Sequence, residues 1–281
     1  MNHKKPLIGK YCMPIVYAGL VYILWETIGI CVSYILGKIT GRWENSLSNT
    51  YIAMFLNEIF TFSVIYIFLR KKAPLTRQYK RNVSLFPVLV MLIFPFIQIC
   101  DDIITILYGE RVFSLLSIDG IYFFIVCFAA CLSTGLLEEY VWRGVILNIF
   151  LSAWGKNAKG ISLSVLISSA CFGLCHYINL LAGQDFMSTT QQVISAACMG
   201  VFLSALFFIT NHLEIPILVH GLCNFSNFLM NELLGWNYSV WKYDDILQFG
   251  LSIGYLTVGF YLISKYGKPI TDSCNRINEI H

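Results

Sequence analysis

The chain has 281 residues, of which 57% are hydrophobic and only 12% are charged. A soluble domain carries about 25% charged residues, so the apolar excess excludes a single water-facing globule. The formal net charge of +3 is small and forms no basic stripe of the kind that binds nucleic acid, so we expect no nucleic-acid partner. The composition predicts a polytopic membrane protein whose immediate partner is membrane lipid.

A helix needs about 20 mostly apolar residues to cross a bilayer. By this measure we predict an all-α bundle of about eight transmembrane helices, folded as one membrane domain over residues 1–281. The predicted spans are 12–36, 51–70, 85–108, 121–150, 161–182, 191–210, 214–233 and 246–264. The fourth span is longer than a bilayer requires, so it either tilts or projects beyond the membrane.

Loop charges predict the orientation of this bundle. Fourteen Lys and Arg residues fall on the side that holds both termini, and four fall on the other side, with Arg143 set aside as part of a motif. Because cytoplasmic loops carry the excess of Lys and Arg, both termini are expected to be cytoplasmic. No cleavable signal peptide is evident, since the apolar stretch after residues 1–10 has full spanning length.

Three polar motifs interrupt the predicted spans. Charged groups at membrane depth cost roughly 2.5–3.5 kcal/mol each even on the lenient insertion scale, so a chain that keeps them must give them partners, water or chemistry. Together the motifs predict an active site. They are Glu138-Glu139-x-x-x-Arg143, Phe172-x-x-x-His176 and His220-x-x-x-Asn224.

The two adjacent carboxylates of the first motif are predicted to play different parts. Residues four apart share a helix face, whereas adjacent residues diverge by about 100°. Glu139 and Arg143 can therefore pair along one face, and Glu138 is left to face a cavity.

If the spans that carry the motifs pack together, Glu138, His176, His220 and Asn224 surround one water-filled cavity. A carboxylate and an imidazole can activate a water for hydrolysis. A second imidazole and an amide can donate hydrogen bonds to the developing oxyanion. The same Glu138, His176 and His220 would also leave zinc an open coordination position, so a metal site is an alternative.

Two further carboxylates, Glu26 and Glu58, lie within the first and second predicted spans, where an ionisable residue is a functional candidate. We assign them a structural role in the bundle. A transporter that uses them for proton coupling ranks third among the functions considered, because neither inverted repeats nor helices broken at the membrane midplane are evident.

The three motifs resemble those of the CPBP family, also called Abi or CAAX-protease-like membrane proteins. Its members include type II CAAX prenyl endopeptidases and bacterial proteins linked to bacteriocin processing and self-immunity. The family pattern is Glu-Glu-x-x-x-Arg, Phe-x-x-x-His and His-x-x-x-Asn or Asp, and this chain departs from it at none of these positions. The resemblance covers roughly residues 120–265, the expected catalytic core.

The resemblance implies an intramembrane endopeptidase that hydrolyses membrane-anchored proteins or peptide precursors. It implies that Glu138 activates water with the help of His176, and that His220 and Asn224 support the oxyanion. Both metal-dependent and metal-free mechanisms have been proposed for the family, and we favour the metal-free one, with zinc as the alternative.

The resemblance also implies that Glu139 and Arg143 hold the helix and that Phe172 supports the site. Because the chain carries no appended domain, it resembles a bacterial member, and we expect it in the bacterial cell membrane. The alternative function is a non-catalytic membrane protein for bacteriocin self-immunity or partner binding.

Overall fold

The structure is a computed structural model in which nearly all of the described residues are helical and none form a β-sheet. The predicted all-α class is therefore confirmed. The residues described are 7–40, 47–70, 118–210, 212–234 and 241–266, with a few positions between 89 and 100.

The α-helices in this part of the chain differ widely in length, from 8 residues to 34. They are α1 (Leu7–Thr40), α2 (Leu47–Leu69), α3 (Ile118–Glu139), α4 (Leu147–Trp154), α5 (Ala158–Cys175), α6 (Phe186–Thr210), α7 (Glu214–Leu234) and α8 (Trp241–Tyr266). Two segments have other helical geometries. A π-helical segment, Tyr140–Ile146, joins α3 to α4, and a 3₁₀ turn, His176–Leu180, follows α5.

Five stretches of the described chain are long and apolar enough to cross a membrane. They coincide with the predicted first, second, fourth, fifth and sixth spans. Large apolar side chains on α1 remain exposed in the bundle, among them Ile30 at 67% and Ile39 at 76%, as expected of residues that face lipid. The five stretches are Cys12–Ile39, Asn49–Leu69, Gly120–Trp154, Ala158–Ala182 and Phe186–Phe208.

The predicted count of eight spans is not confirmed. The third, 85–108, lies outside the described residues except for isolated positions. The seventh and eighth, 214–233 and 246–264, are helical, as α7 and α8, but they are not among the five stretches. Polar residues such as His220 and Asn224 lower the apolarity of α7, so its place relative to the membrane stays a prediction.

Helix α3 packs against both α2 and α7, while α5 packs against α6 and α6 against α8. The crossing of α3 with α7 is close because a glycine from each helix lies in it. A Cβ atom at Gly135 would lie 2.9 Å from a carbonyl oxygen of α7, and one at Gly221 would lie 3.1 Å from the Cα of Leu132. Small residues permit this approach of two backbones. Since Gly221 follows His220 and Gly135 precedes Glu139 by one turn, the crossing brings their motifs together.

Candidate active site

An ion pair at the end of α3 is completely enclosed by protein. Arg143 Nη1 lies 2.6 Å from Glu139 Oε1, and the two side chains are 1% and 0% exposed. The pair predicted from the four-residue spacing is therefore present. Removing two charges from water is costly, so such a pair persists only where further contacts support it.

The chain departs from α-helical geometry at this ion pair. The π-helical segment Tyr140–Ile146 begins immediately after Glu139, and all of its residues are buried. Short π-helical insertions are rare and occur mostly at functional sites. The side chain of Asn148 donates hydrogen bonds to the carbonyls of Arg143, at 3.2 Å, and Gly144, at 2.6 Å, and so satisfies backbone groups at the change of geometry. The regular α-helical periodicity that the sequence analysis assumed for this span therefore ends within the first motif.

His220 lies between the two adjacent carboxylates of α3. Its Nδ1 is 2.8 Å from Glu139 Oε1, a hydrogen bond in which the ring N–H donates to the carboxylate. Its Nε2 is 3.6 Å from Glu138 Oε2, within ion-pair range but too long for a hydrogen bond. Glu139 thus fixes the orientation of the imidazole and directs Nε2 towards Glu138.

The Phe172 ring connects the charged residues to both imidazoles. The Arg143 guanidinium lies 4.6 Å from the centre of this ring, in the range of a cation–π contact. The rings of His176 and His220 are 5.2 Å and 5.9 Å from the same centre, and both stand nearly perpendicular to it. Phe172 is 1% exposed, so these ring contacts are formed in the protein interior.

His176 lies where α5 ends and the 3₁₀ turn begins. Its Nδ1 is 2.9 Å from the carbonyl oxygen of Phe172. A carbonyl oxygen only accepts hydrogen bonds, so Nδ1 carries the proton and Nε2 is the nitrogen available to a substrate or a water.

The two neighbouring carboxylates differ in their access to solvent. The Glu138 side chain is 17% exposed, whereas that of Glu139 is completely buried. Their surroundings therefore differ as the sequence predicted. Asn224 lies one turn after His220 on α7 and is partly buried, but it makes no hydrogen bond to any described residue. The structure thus gathers six of the seven predicted residues through direct contacts and places Asn224 beside them without one.

Aromatic side chains that the sequence did not single out enclose the ion pair. Trp142, inside the first motif, packs against Phe172 with ring centres 5.6 Å apart. It also meets Tyr22 and Trp25 of α1 at 6.2 Å and 6.5 Å. These contacts bring α1 to the site, although its residues lie outside the expected catalytic core. The sequence signal that could have indicated this aromatic cluster was Trp142 itself, a large aromatic residue inside the first motif.

The residues predicted to bind zinc are Glu138, His176 and His220. A catalytic zinc needs three protein ligand atoms at about 2.0–2.2 Å from one point. Within the part of the chain that the structure describes, no three His, Cys, Asp or Glu side chains are grouped so that they could hold a metal ion. The hydrogen bond from His176 Nδ1 to its own helix leaves Nε2 as the ring nitrogen open to a ligand. The zinc site stays a prediction.

One protein-family model matches this region of the chain. Residues 120–226 match the model described as type II CAAX prenyl endopeptidase Rce1-like. The matched region runs from α3 into α7 and includes all three motifs. Searches of the curated proteins and of the solved structures found no match to the chain.

The match lends no support to a role in bacteriocin processing or immunity, which the resemblance had also implied. Together with the apolar helices it shows an integral membrane protein. Residues 120–226 thus match the same group of membrane endopeptidases that the motif resemblance predicted.

Proposed function

We propose that this protein is an intramembrane endopeptidase in which Glu138 activates the attacking water. The observation that carries the proposal is the chain of contacts from Arg143 to Glu139, from Glu139 to His220 and from His220 to Glu138. It joins two motifs on separate helices within the Rce1-like region. It also leaves one carboxylate accessible beside an oriented imidazole, which is the arrangement that general base catalysis needs.

In the proposed reaction Glu138 takes a proton from the water as the water oxygen attacks the peptide carbonyl carbon. The carbonyl π electrons move to its oxygen and form a tetrahedral oxyanion. When this intermediate collapses, the C–N bond breaks and the proton held by Glu138 passes to the leaving amine. His176, through Nε2, positions the water and helps to move the proton. Atoms and charge therefore balance without a further reactant.

The oxyanion is stabilised in this proposal by His220 Nε2 and the amide of Asn224. This role requires both ring nitrogens of His220 to donate, and the positive charge of such an imidazolium, with that of Arg143, would offset the charges of Glu138 and Glu139. As Glu138 is neutralised, negative charge moves to the oxyanion, so the site gains no net charge during attack. This matters because an uncompensated charge is costly in a low-dielectric interior.

The substrates we propose are membrane-anchored proteins or peptide precursors, cut within or near the cytoplasmic leaflet of a bacterial cell membrane. This placement supposes that both termini are cytoplasmic, as the loop charges predict. A tag at either terminus should then resist added protease in intact cells and be removed after lysis. Removal of the tag from intact cells would contradict the orientation.

The function can be tested with the purified protein in liposomes. A farnesylated CAAX peptide and a mixture of short unprenylated peptides are incubated with the parent and with Glu138→Ala, His176→Ala and His220→Ala, and products are identified by mass spectrometry. The parent should cleave, and loss of the base should lower turnover at least about 100-fold. Equal turnover in all four proteins would remove the proposal.

A matched control is Glu214→Ala, because Glu214 is 57% exposed and lies in a surface pair with His212. It should cleave as the parent does. Absence of cleavage by the parent under all of these conditions would favour the non-catalytic alternative, in which the protein binds a partner.

A further inference from the structure

A polar cavity lies between α1, α2 and α3, and most of its wall comes from α1 and α2. Its volume is about 370 Å³, near the lower end of the range for ligand pockets and large enough for one side chain rather than a folded partner. The residues of its wall that carry the argument are Trp25, Glu26, Ser33, Asn57, Glu58 and Thr61.

The two carboxyl groups in this cavity have no basic partner among the described residues. Glu26 lies in the middle of the spanning stretch Cys12–Ile39, and Glu58 in the middle of Asn49–Leu69. The ion pairs of the described chain involve other carboxylates. Tyr22 donates a hydrogen bond to Glu26 but brings no positive charge. Carboxylates at membrane depth without a cation are costly, so a cationic ligand would stabilise them.

A buried hydroxyl group independently indicates a missing ligand. Thr61 lines the cavity, its side chain is 0% exposed, and its Oγ1 has no hydrogen-bond partner. Neighbouring hydroxyls in these helices donate to the carbonyl one turn earlier, as Thr27 does to Ile23 and Ser63 to Ile59, both at 2.7 Å. A buried polar atom without a partner is uncommon in native proteins. A donor in the cavity would satisfy Thr61.

The rest of the wall also suits a cation. Ser33 donates to the Asn57 side-chain oxygen at 3.0 Å, which makes one side of the cavity polar. Trp25 supplies an aromatic ring, and tryptophan is the best side chain for cation–π contacts. Oxygen acceptors combined with an aromatic ring match the donors and the positive charge of an ammonium or guanidinium group.

The cavity adjoins the candidate active site. Leu137, the residue before Glu138, lines it, and the carboxyl groups of Glu26 and Glu58 both interact electrostatically with Glu138. Trp25 also meets Trp142 of the first motif. A side chain bound in the cavity would therefore belong to the same extended substrate peptide whose cleaved bond lies beside Glu138.

We propose that this cavity is a specificity subsite that binds the ammonium or guanidinium group of a basic residue close to the cleaved bond. This inference rests on the proposed protease function and narrows its substrates to peptides with a Lys or Arg near that bond. Glu26 and Glu58 accept hydrogen bonds from the cationic group, and Thr61 provides a further acceptor. The structural role expected from the sequence is thereby replaced by a binding role.

The catalytic test uses the cleaved CAAX peptide with Lys, Arg, glutamine or norleucine placed in turn at each position near the bond. At one position Lys and Arg should raise kcat/KM at least about tenfold over norleucine, which corresponds to about 1.4 kcal/mol. The double variant Glu26→Gln/Glu58→Gln should lose this preference, and Thr61→Val should reduce it. Glu214→Gln, an exposed control, should keep it. Absence of a preference in the parent, or an unchanged preference in the double variant, would overturn the inference.

A binding test in Glu138→Ala, which does not depend on cleavage, separates the two proposals. Calorimetric titrations with n-hexylammonium, n-butylguanidinium and neutral 1-hexanol compare two proteins. One carries Glu138→Ala alone, and the other carries Glu138→Ala together with Glu26→Gln and Glu58→Gln. The two cations should bind saturably and at least about tenfold more weakly after the change, whereas hexanol should not differ. Cation binding without peptide cleavage would support the cavity and overturn the protease. No saturable cation binding by a folded protein would overturn the cavity, whatever the peptides show.

Discussion

His220 donates a hydrogen bond from Nδ1 to Glu139 Oε1 across the interface of α7 and α3, at 2.8 Å. Arg143 donates to the same oxygen at 2.6 Å, while Glu139 Oε2 has no partner within the described residues. Glu139 therefore does more than pair within its own helix. It connects two helices and orients the imidazole that faces Glu138.

Glu139→Ala should destabilise the protein severely, because it leaves Arg143 and His220 buried without their carboxylate. Breaking a buried pair by removing one partner costs about 3–5 kcal/mol. The free energy of unfolding, measured by denaturant titration in detergent, checks this. The control is Glu214→Ala, whose exposed pair with His212 at 3.5 Å is worth less than about 1 kcal/mol. Equal losses in the two variants would contradict the assigned role of Glu139.

Gly221→Ala should force α3 and α7 apart. The new Cβ would lie 2.7 Å from Leu132 Cδ2 and 3.1 Å from its Cα, and overpacking of this kind costs about 1–3 kcal/mol. Because His220 is the adjacent residue, cleavage should also fall. Gly19→Ala is the matched control, since nothing lies within 4 Å of its new Cβ and alanine favours a helix. If both variants unfold at the same temperature and cleave equally, the close crossing does not position the site.

The start of α6 should respond to pH through Asp185. The backbone N–H groups of Met187 and Ser188 donate to Asp185 Oδ1, each at 3.0 Å. Hydrogen bonds from the side chain and backbone of Ser188 hold the pKa of Asp185 below its usual range. A carboxylate whose pKa is lower in the folded state than in the unfolded state stabilises the fold when it is ionised. This stabilisation is complete above the unfolded pKa of about 3.9 and is lost as the pH falls through the lower, folded pKa.

Amide hydrogen exchange at residues 187–190 measures this effect. In the parent these amides should lose protection as the pH is lowered from the unfolded pKa of Asp185, about 3.9, through its lower folded pKa, after correction for intrinsic exchange. Asp185→Asn keeps a cap that does not titrate and should lose much less protection. The same pH dependence in both proteins would show that Asp185 is not responsible.

Cleavage should survive removal of divalent metal, because Glu138, His176 and His220 are not grouped as ligands of one ion. The check is elemental analysis of active protein together with turnover before and after treatment with a chelator. Unchanged turnover and much less than one zinc per chain are expected. Loss of turnover that zinc restores would contradict the metal-free proposal and return the three residues to the role of ligands.

Much of this arrangement could be predicted from sequence because its causes are local. Membrane depth makes polar residues costly, so the motifs stand out against apolar helices. The Glu139–Arg143 pair follows from four-residue spacing, and the different environments of Glu138 and Glu139 follow from their adjacency. The single domain and the oxyanion role of Asn224 stay predictions.

Other features depend on contacts between distant segments. The sequence does not specify that His220 hydrogen-bonds Glu139, because this requires the depth and rotation of α7 against α3. Those are set by packing at Gly135 and Gly221. The π-helical geometry after Glu139 breaks the periodicity on which the prediction relied. The cavity at Glu58 was missed for the same reason, since its wall is assembled from three helices.

The most direct measurement is the turnover of Glu138→Gln beside the parent, with the thermal unfolding of both recorded in the same detergent. Glutamine keeps the size of the side chain but cannot take a proton from water. We expect turnover at least about 100-fold lower with an unchanged unfolding temperature. Turnover equal to that of the parent in the folded variant would contradict Glu138 as the base, and with it the proposed mechanism.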